Sequence, residues 1–137
     1  MLKGLSPLLS PDLLKILCEM GHGDTIVISD AHFPSHTLGP QVLRMDGVSA
    51  SDLLRAIMPV WEFDSYVDAP FAMMQAVPGD TLDMDYVRLC TGIAGREPAF
   101  IERFAFYEKA KSAYAVIHTG ETRKYGNLLL QKGVIPV

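Results

Sequence analysis

The stretch Thr25-Ile26-Val27-Ile28-Ser29-Asp30 decides the fold of this 137-residue chain. The residues before the aspartate form a short, β-branched run, which is typical of a strand buried on both faces. Asp30 then stands at the carboxyl end of the strand. Strands of this kind belong to sheets covered by helices, so the stretch favours an α/β protein.

Helical and strand-like patterns alternate outward from this strand, with connections rich in Gly, Pro and Asp. The first helix is predicted to be capped by Ser10, to begin at Pro11 and to stop before Gly21. The other patterns predict helices over residues 50–58, 83–92 and 103–113, and strands over 41–45, 71–77, 114–118 and 128–130. Together they predict one α/β domain over residues 1–137.

Composition excludes several classes of function. A chain of 137 residues with 49% hydrophobic content can bury a core without disulfides or a structural metal. A net charge of −4 with scattered basic residues leaves no basic surface for nucleic acid. Cys18 and Cys90 are far apart and match no metal-binding spacing, so we interpret both as reduced, buried thiols.

The amino-terminal apolar run is interrupted by prolines and an aspartate within MLKGLSPLLSPDLL. The interruption predicts that no secretory signal peptide forms there. No stretch approaches the roughly 18 uninterrupted apolar residues that a membrane helix needs. The sequence therefore predicts a cytoplasmic protein with no membrane partner.

The densest polar grouping surrounds the first strand. Gly21-His22-Gly23-Asp24 precedes the strand, and Asp30-Ala31-His32-Phe33-Pro34-Ser35-His36 follows it. Two glycines place His22 on a tightly bent, exposed turn, where an imidazole is free to meet a ligand. Asp30 stands at the carboxyl end of a strand, where the ligand-binding crevices of open α/β sheets lie. The hypothesis from these positions is that His22 and Asp30 converge on one pocket.

Three interpretations of this grouping stay open on the residues alone. The first is catalysis by His22. The second is a metal site built from some of His22, Asp30, His32 and His36, although their spacing matches no established motif such as HExxH. The third is that these side chains only cap surface turns. Taken separately, His32 and His36 are interpreted as structural or pocket-rim groups.

Two further groupings supply side chains that can bind a sugar. Arg103 opens a predicted helix, and its planar guanidinium can hold sugar hydroxyls or pair with a nearby carboxylate. Tyr125 and Asn127 stand two residues apart at the entrance of a strand, so their side chains can point the same way. A phenol and an amide suit a vicinal diol, although the same residues could form an ordinary turn.

In this order and at this chain length, the groupings resemble the family of L-fucose mutarotase and D-ribose pyranase. The resemblance covers essentially the whole chain. It favours the L-fucose mutarotase branch through His22-Gly23-Asp24, Phe33-Pro34-Ser35-His36 and Arg103-Phe104-Ala105-Phe106-Tyr107. It implies a three-layer α/β/α sandwich with a mixed central sheet. It also implies a ring-forming homo-oligomer, with a decamer as one candidate size, whose sugar sites lie near subunit boundaries.

The resemblance further implies roles for individual residues. His22 is expected to be the catalytic acid or base. A monosaccharide, with L-fucose as the first candidate, is expected to be bound by Asp30, Arg103, Tyr125, Gly126 and Asn127.

Mutarotation removes the proton of the anomeric hydroxyl and protonates the ring oxygen, so that the ring opens and recloses. This reaction needs a proton donor and a proton acceptor in one pocket, and we expect no metal and no organic cofactor. Two other functions compete with it. One is a non-catalytic sugar-binding or transport-accessory protein, and the other is a metal-dependent hydrolase or isomerase built on Asp30, His32 and His36.

Overall fold

Six strands form one mixed sheet at the centre of the protein. The computed structural model describes residues 1–137. The strands are β1 (Thr25–Ser29), β2 (Gln41–Met45), β3 (Phe71–Met74), β4 (Ala99–Ile101), β5 (Ala115–Thr119) and β6 (Leu128–Gln131). Their order in the sheet is β2-β5-β1-β6-β3-β4. Only β6 runs antiparallel to its neighbours, and the other pairs are parallel, which confirms the predicted mixed sheet.

Four α-helices join the strands, and each begins at a side-chain cap. The helices are α1 (Pro11–Glu19), α2 (Ala50–Ile57), α3 (Met84–Ala94) and α4 (Arg103–Lys111), and a 3₁₀ turn (Met58–Val60) follows α2. Ser10 accepts a backbone hydrogen bond at the start of α1, as predicted, and Ser49 does the same at the start of α2. Asp83 and Glu102 do the same for α3 and α4. None of these helices is long and apolar enough to cross a membrane.

The helices cover both faces of the sheet, so the molecule has three layers. Ile26 and Ile28 of β1 pack into the larger core with α1, α2 and α3. Val27, between them, packs into the smaller core on the other face with Phe106 of α4. Alternation along one strand thus supplies both cores, and each buried side chain stabilises the fold by roughly 1.5–3 kcal/mol. The predicted α/β/α sandwich is confirmed.

Three local predictions differ from the structure. β3 ends at Met74 rather than at residue 77, because the chain leaves the sheet there and forms a loop toward Asp80. β4 was not predicted, because three residues at a sheet edge carry too little pattern to be distinguished from a loop. Cys18 is exposed rather than buried, because it lies on the outer side of α1, whereas Cys90 is buried as predicted.

Candidate active site

An open pocket of about 430 Å³ lies at the edge of the sheet where the parallel strands end. This volume falls within the roughly 300–1,000 Å³ of typical small-molecule sites. The lining combines acidic, basic, phenolic and apolar groups from four chain segments: Asp30, His32, Phe33, Met74, Arg103, Tyr107, Lys124, Tyr125 and Asn127. Among the predicted sugar-binding residues, Asp30, Arg103, Tyr125 and Asn127 therefore share one pocket. Gly126 lies between the last two.

A reciprocal pair of hydrogen bonds joins Asp30 to Asn127 at the base of the pocket. The backbone N–H of Asp30 donates to Asn127 Oδ1 at 2.7 Å, and Asn127 Nδ2 donates to Asp30 Oδ2 at 3.1 Å. The backbone N–H of His32 donates to Asp30 Oδ1 at 2.9 Å. Burial raises the pKa of Asp30 above its ordinary value, and the hydrogen bonds from His32, Gly126 and Asn127 offset this rise only in part. Both oxygens of the carboxylate are thereby held in fixed positions beside the pocket.

The segment Tyr125-Gly126-Asn127 forms a tight turn just before β6. Tyr125 has a φ of 58°, which makes it the only non-glycine residue of the chain with a positive φ. At Gly126, a Cβ atom would come within 2.9 Å of the carbonyl oxygen of Arg123, so only glycine fits without a shift of the backbone. Tyr125 and Asn127 do both face the pocket, but this turn, rather than strand alternation, directs them there.

Arg103 opens α4 and presents its guanidinium to the pocket. Its Nε donates to the hydroxyl of Tyr107, one helical turn later, at 3.1 Å. The guanidinium also lies over the rings of Phe104 and Tyr107, with 5.1 Å and 5.5 Å to their centroids. Arg103 forms no ion pair within the chain, so the pairing with a nearby carboxylate that the sequence left open is not formed there. Its remaining N–H groups are available to a ligand.

His22 lies at the opposite end of β1 from the pocket. The five residues of β1, at roughly 3.3 Å each, place about 16 Å of strand between His22, which precedes it, and Asp30, which follows it. The hypothesis that both side chains converge on one pocket of the same chain is therefore wrong. The physical reason is that the residues before and after a strand lie at its two opposite ends.

Instead, His22 is paired with a buried aspartate. His22 Nε2 lies 3.0 Å from Asp64 Oδ1, and the side chain of His22 is 46% exposed whereas that of Asp64 is 2% exposed. Asp64 also accepts hydrogen bonds from the backbone N–H of Tyr66 and from Gln131 Nε2, each at 3.0 Å. These hydrogen bonds, that of Tyr66 foremost, lower the pKa of Asp64, so its carboxylate is ionised at neutral pH.

The sequence did not single out Asp64, the partner of His22. We refer below to the pocket residues and to the His22–Asp64 pair as the two clusters. Asp64 stands in an irregular stretch after the 3₁₀ turn, and no local pattern distinguishes it from other surface-turn aspartates.

His36, a candidate ligand in the metal interpretation, lies against Arg44 with 3.3 Å between Nε2 and Nη1. No group of three or more His, Cys, Asp or Glu side chains is arranged to hold a metal ion.

Known proteins resemble this chain over its full length. Proteins named L-fucose mutarotase from Histophilus somni and Actinobacillus pleuropneumoniae are 57% and 54% identical to it over 143 aligned positions. Each alignment covers all of this chain and 99% of the relative.

Solved structures agree in fold. The fucose mutarotase from Streptococcus pneumoniae, solved in complex with L-fucose, is 41% identical with a TM-score of 0.90, over 98% of this chain and 100% of that one. Bacillus subtilis RbsD, solved with D-ribose, is 25% identical with a TM-score of 0.79, over 99% of this chain and 100% of that one. The sequence model of the RbsD / FucU transport protein family matches residues 3–135. This chain therefore belongs to the RbsD / FucU transport protein family.

Proposed function

We propose that this protein is a mutarotase that interconverts the α and β anomers of L-fucose by acid–base opening and reclosure of the sugar ring. The observation that carries the proposal is the pocket, which places a fixed carboxylate, a free guanidinium and two phenols around a space suited to a monosaccharide. Full-length relatives at 54–57% identity carry the name L-fucose mutarotase.

The pocket residues are assigned to binding and orientation of the sugar. Asp30 accepts hydrogen bonds from sugar hydroxyls, and its reciprocal bonds with Asn127 keep it from turning away. Arg103 donates through the N–H groups that Tyr107 does not use. Phe33 and Met74 offer apolar contacts, which suit the methyl group of a 6-deoxy sugar. Fixing the sugar in this way lowers the entropic part of the barrier.

We assign the acid–base role of His22 to the pocket of a neighbouring subunit, because His22 cannot reach the pocket of its own chain. Each chain would then supply its pocket to one site and its His22–Asp64 pair to another. When Nε2 carries the proton that Asp64 accepts, Nδ1 presents a lone pair that can take the anomeric proton. The ionised Asp64 stabilises the imidazolium that results. The decameric ring and the cytoplasmic location remain predictions from the sequence.

Tyr107 is better placed than Tyr125 to be the proton-transfer partner within the pocket. The hydroxyl of Tyr125 donates its proton to Asp80 Oδ2 at 2.8 Å, and this hydrogen bond raises the pKa of Tyr125. The hydroxyl of Tyr107 instead accepts from Arg103, so its own proton is uncommitted. The adjacent guanidinium would also stabilise a phenolate on Tyr107 while the proton is away.

The competing function is a sugar-binding or transport-accessory protein that uses the same pocket. Binding alone needs the polar lining, but it has no use for a histidine oriented by an ionised aspartate. The buried, multiply hydrogen-bonded Asp64 behind the exposed His22 therefore favours catalysis.

The proposal is tested by measuring anomer exchange with NMR on L-fucose, D-ribose and D-galactose, with and without a chelator. We expect accelerated exchange of L-fucose at a rate that the chelator leaves unchanged, because the proton transfers need no Lewis acid. Sugar binding without accelerated exchange would establish the binding-protein alternative. Loss of exchange with chelator, restored by zinc or manganese, would establish the metal-dependent one.

A further inference from the structure

We propose that Asp80, on the loop after β3, is a positioning residue that holds the sugar-binding segment Tyr125-Gly126-Asn127 in its bound geometry, with Tyr86 of α3 holding the same segment from the other side. This inference rests on the proposed function, since it concerns the same pocket. It assigns a role to the connection between β3 and α3, which contributes no residue to the lining of the pocket.

The segment needs support because its backbone conformation is unfavourable. Residues with a side chain rarely adopt a positive φ, and Tyr125 has a φ of 58°. Conformations of this kind persist only where the surroundings determine them. β6 begins at Leu128 and fixes only the end of the segment at Asn127, whose carbonyl accepts from the backbone N–H of Met74 at 3.2 Å. Contacts elsewhere must hold Tyr125.

Asp80 supplies the contact on the solvent side. Its Oδ2 accepts from the hydroxyl of Tyr125 and from Nζ of Lys124, both at 2.8 Å. Its Oδ1 accepts from the backbone N–H of Thr81 at 2.9 Å, which fixes the carboxylate itself. One aspartate therefore binds two consecutive side chains that line the pocket.

Tyr86 supplies the contact on the buried side. Its hydroxyl donates to the carbonyl oxygen of Gly126 at 2.9 Å. Its ring is buried against the larger core, so the hydroxyl cannot follow the segment if the segment moves. The segment is thus held at the side chain of Tyr125 by Asp80 and at the carbonyl of Gly126 by Tyr86.

The contact with Asp80 also determines whether the hydroxyl of Tyr125 donates or accepts a hydrogen bond when a sugar is bound. Lys124 and the backbone N–H of Thr81 lower the pKa of Asp80 to about 2, so the carboxylate is ionised throughout the physiological range. The phenol proton is therefore directed to Asp80, and Tyr125 presents only lone pairs to the pocket. Tyr125 then accepts a hydrogen bond from a sugar hydroxyl rather than donating one.

The test compares KM and kcat for L-fucose exchange in Asp80→Asn and Tyr86→Phe with those of the parent. We expect KM to rise about 10-fold in Asp80→Asn and by roughly 3- to 10-fold in Tyr86→Phe, with kcat within about 2-fold, because a binding geometry is loosened and no proton-transfer group is removed. The matched control is Asp85→Asn, which removes an exposed carboxylate of α3 that pairs with Arg88 of the same helix. Neither residue lines the pocket, so the KM of this variant should equal that of the parent.

A double variant shows whether Asp80 acts through Tyr125. If it does, the two effects on KM combine to less than their product, and what Asp80→Asn still adds to Tyr125→Phe is its loss of the contact with Lys124. A parental KM in Asp80→Asn, effects that multiply fully in the double variant, or a fall in kcat at unchanged KM would each overturn the proposal. If Asp80→Asn fails to fold, Asp80→Glu, which keeps the charge but displaces the carboxylate, takes its place in the same comparison. If the parent accelerates no exchange, the proposed function fails separately, and the calorimetric Kd for L-fucose replaces KM in the same comparisons.

Discussion

Substituting His22 with alanine is expected to slow L-fucose exchange by roughly 10²-fold or more, the lower end of what one general acid–base group contributes. Folding should be nearly intact, with the free energy of unfolding lowered by about 1 kcal/mol or less, since Asp64 keeps its hydrogen bonds from Tyr66 and Gln131. Sugar binding should weaken only modestly, because the pocket lining is unchanged. NMR exchange rates and calorimetric binding on the same preparations measure both quantities.

Two further variants sharpen this prediction. Asp64→Asn keeps the shape of the pair but removes its charge, and it should slow exchange by at least about 10-fold without abolishing binding. His36→Ala removes an exposed histidine that lies outside both clusters and should exchange anomers at the parental rate. If His22→Ala retained the parental rate, His22 would not be the acid–base group. A large loss in His36→Ala would instead revive the metal-dependent interpretation.

Mixing two impaired variants is expected to restore activity when exchange is measured at an L-fucose concentration well below KM. His22→Ala keeps an intact pocket, and Asp30→Asn keeps an intact His22–Asp64 pair, so neither chain alone completes a site. If each site takes these parts from adjacent subunits, random assembly of a 1:1 mixture restores about one quarter of the sites. At that concentration, exchange should therefore rise above the rate of either variant alone, to about 25% of the parental rate, after the two chains are refolded together.

The control for this experiment is the double variant His22→Ala/Asp30→Asn assembled 1:1 with the parent. A site built from two subunits keeps about one quarter of the parental activity in that mixture, whereas a site within one chain keeps about one half. No recovery in the mixture of single variants, together with one half in the control, would place the whole site within one chain. A mass near that of a single chain would likewise contradict the predicted homo-oligomer.

The elements that sequence predicted well are those with complete local signals. α1 has a capping serine, a proline at its first position and apolar residues at helical spacing, and the structure has each of these features. β1 matches its predicted bounds because a short β-branched run between turns has few alternatives. β4 lacked such signals, because three residues carry too little pattern. As an edge strand it pairs only with β3.

The pocket could be predicted in part, because strand ends and helix starts are local features. Asp30 after β1, Arg103 at the start of α4 and the pair Tyr125 and Asn127 before β6 follow from such features, and resemblance to a family added Gly126 and the binding roles. The supporting contacts could not be predicted, since they join residues far apart in sequence. Asp64 is 42 residues from His22, and Asp80 is 45 residues from Tyr125. Only the folded chain brings these side chains together.

The antiparallel direction of β6 constrains how the chain can change in length. Asn127, just before the strand, binds Asp30, whereas Gln131, its last residue, binds Asp64 at the far edge. Four residue steps thus set a backbone spacing of about 13 Å between Asn127 and Gln131, which contact Asp30 and Asp64 respectively. An inserted or deleted residue would turn the following side chains to the other face and displace one anchor relative to the other. β6 should therefore tolerate substitutions among apolar residues of similar size, whereas we expect insertions and deletions to be tolerated only in the outer loops.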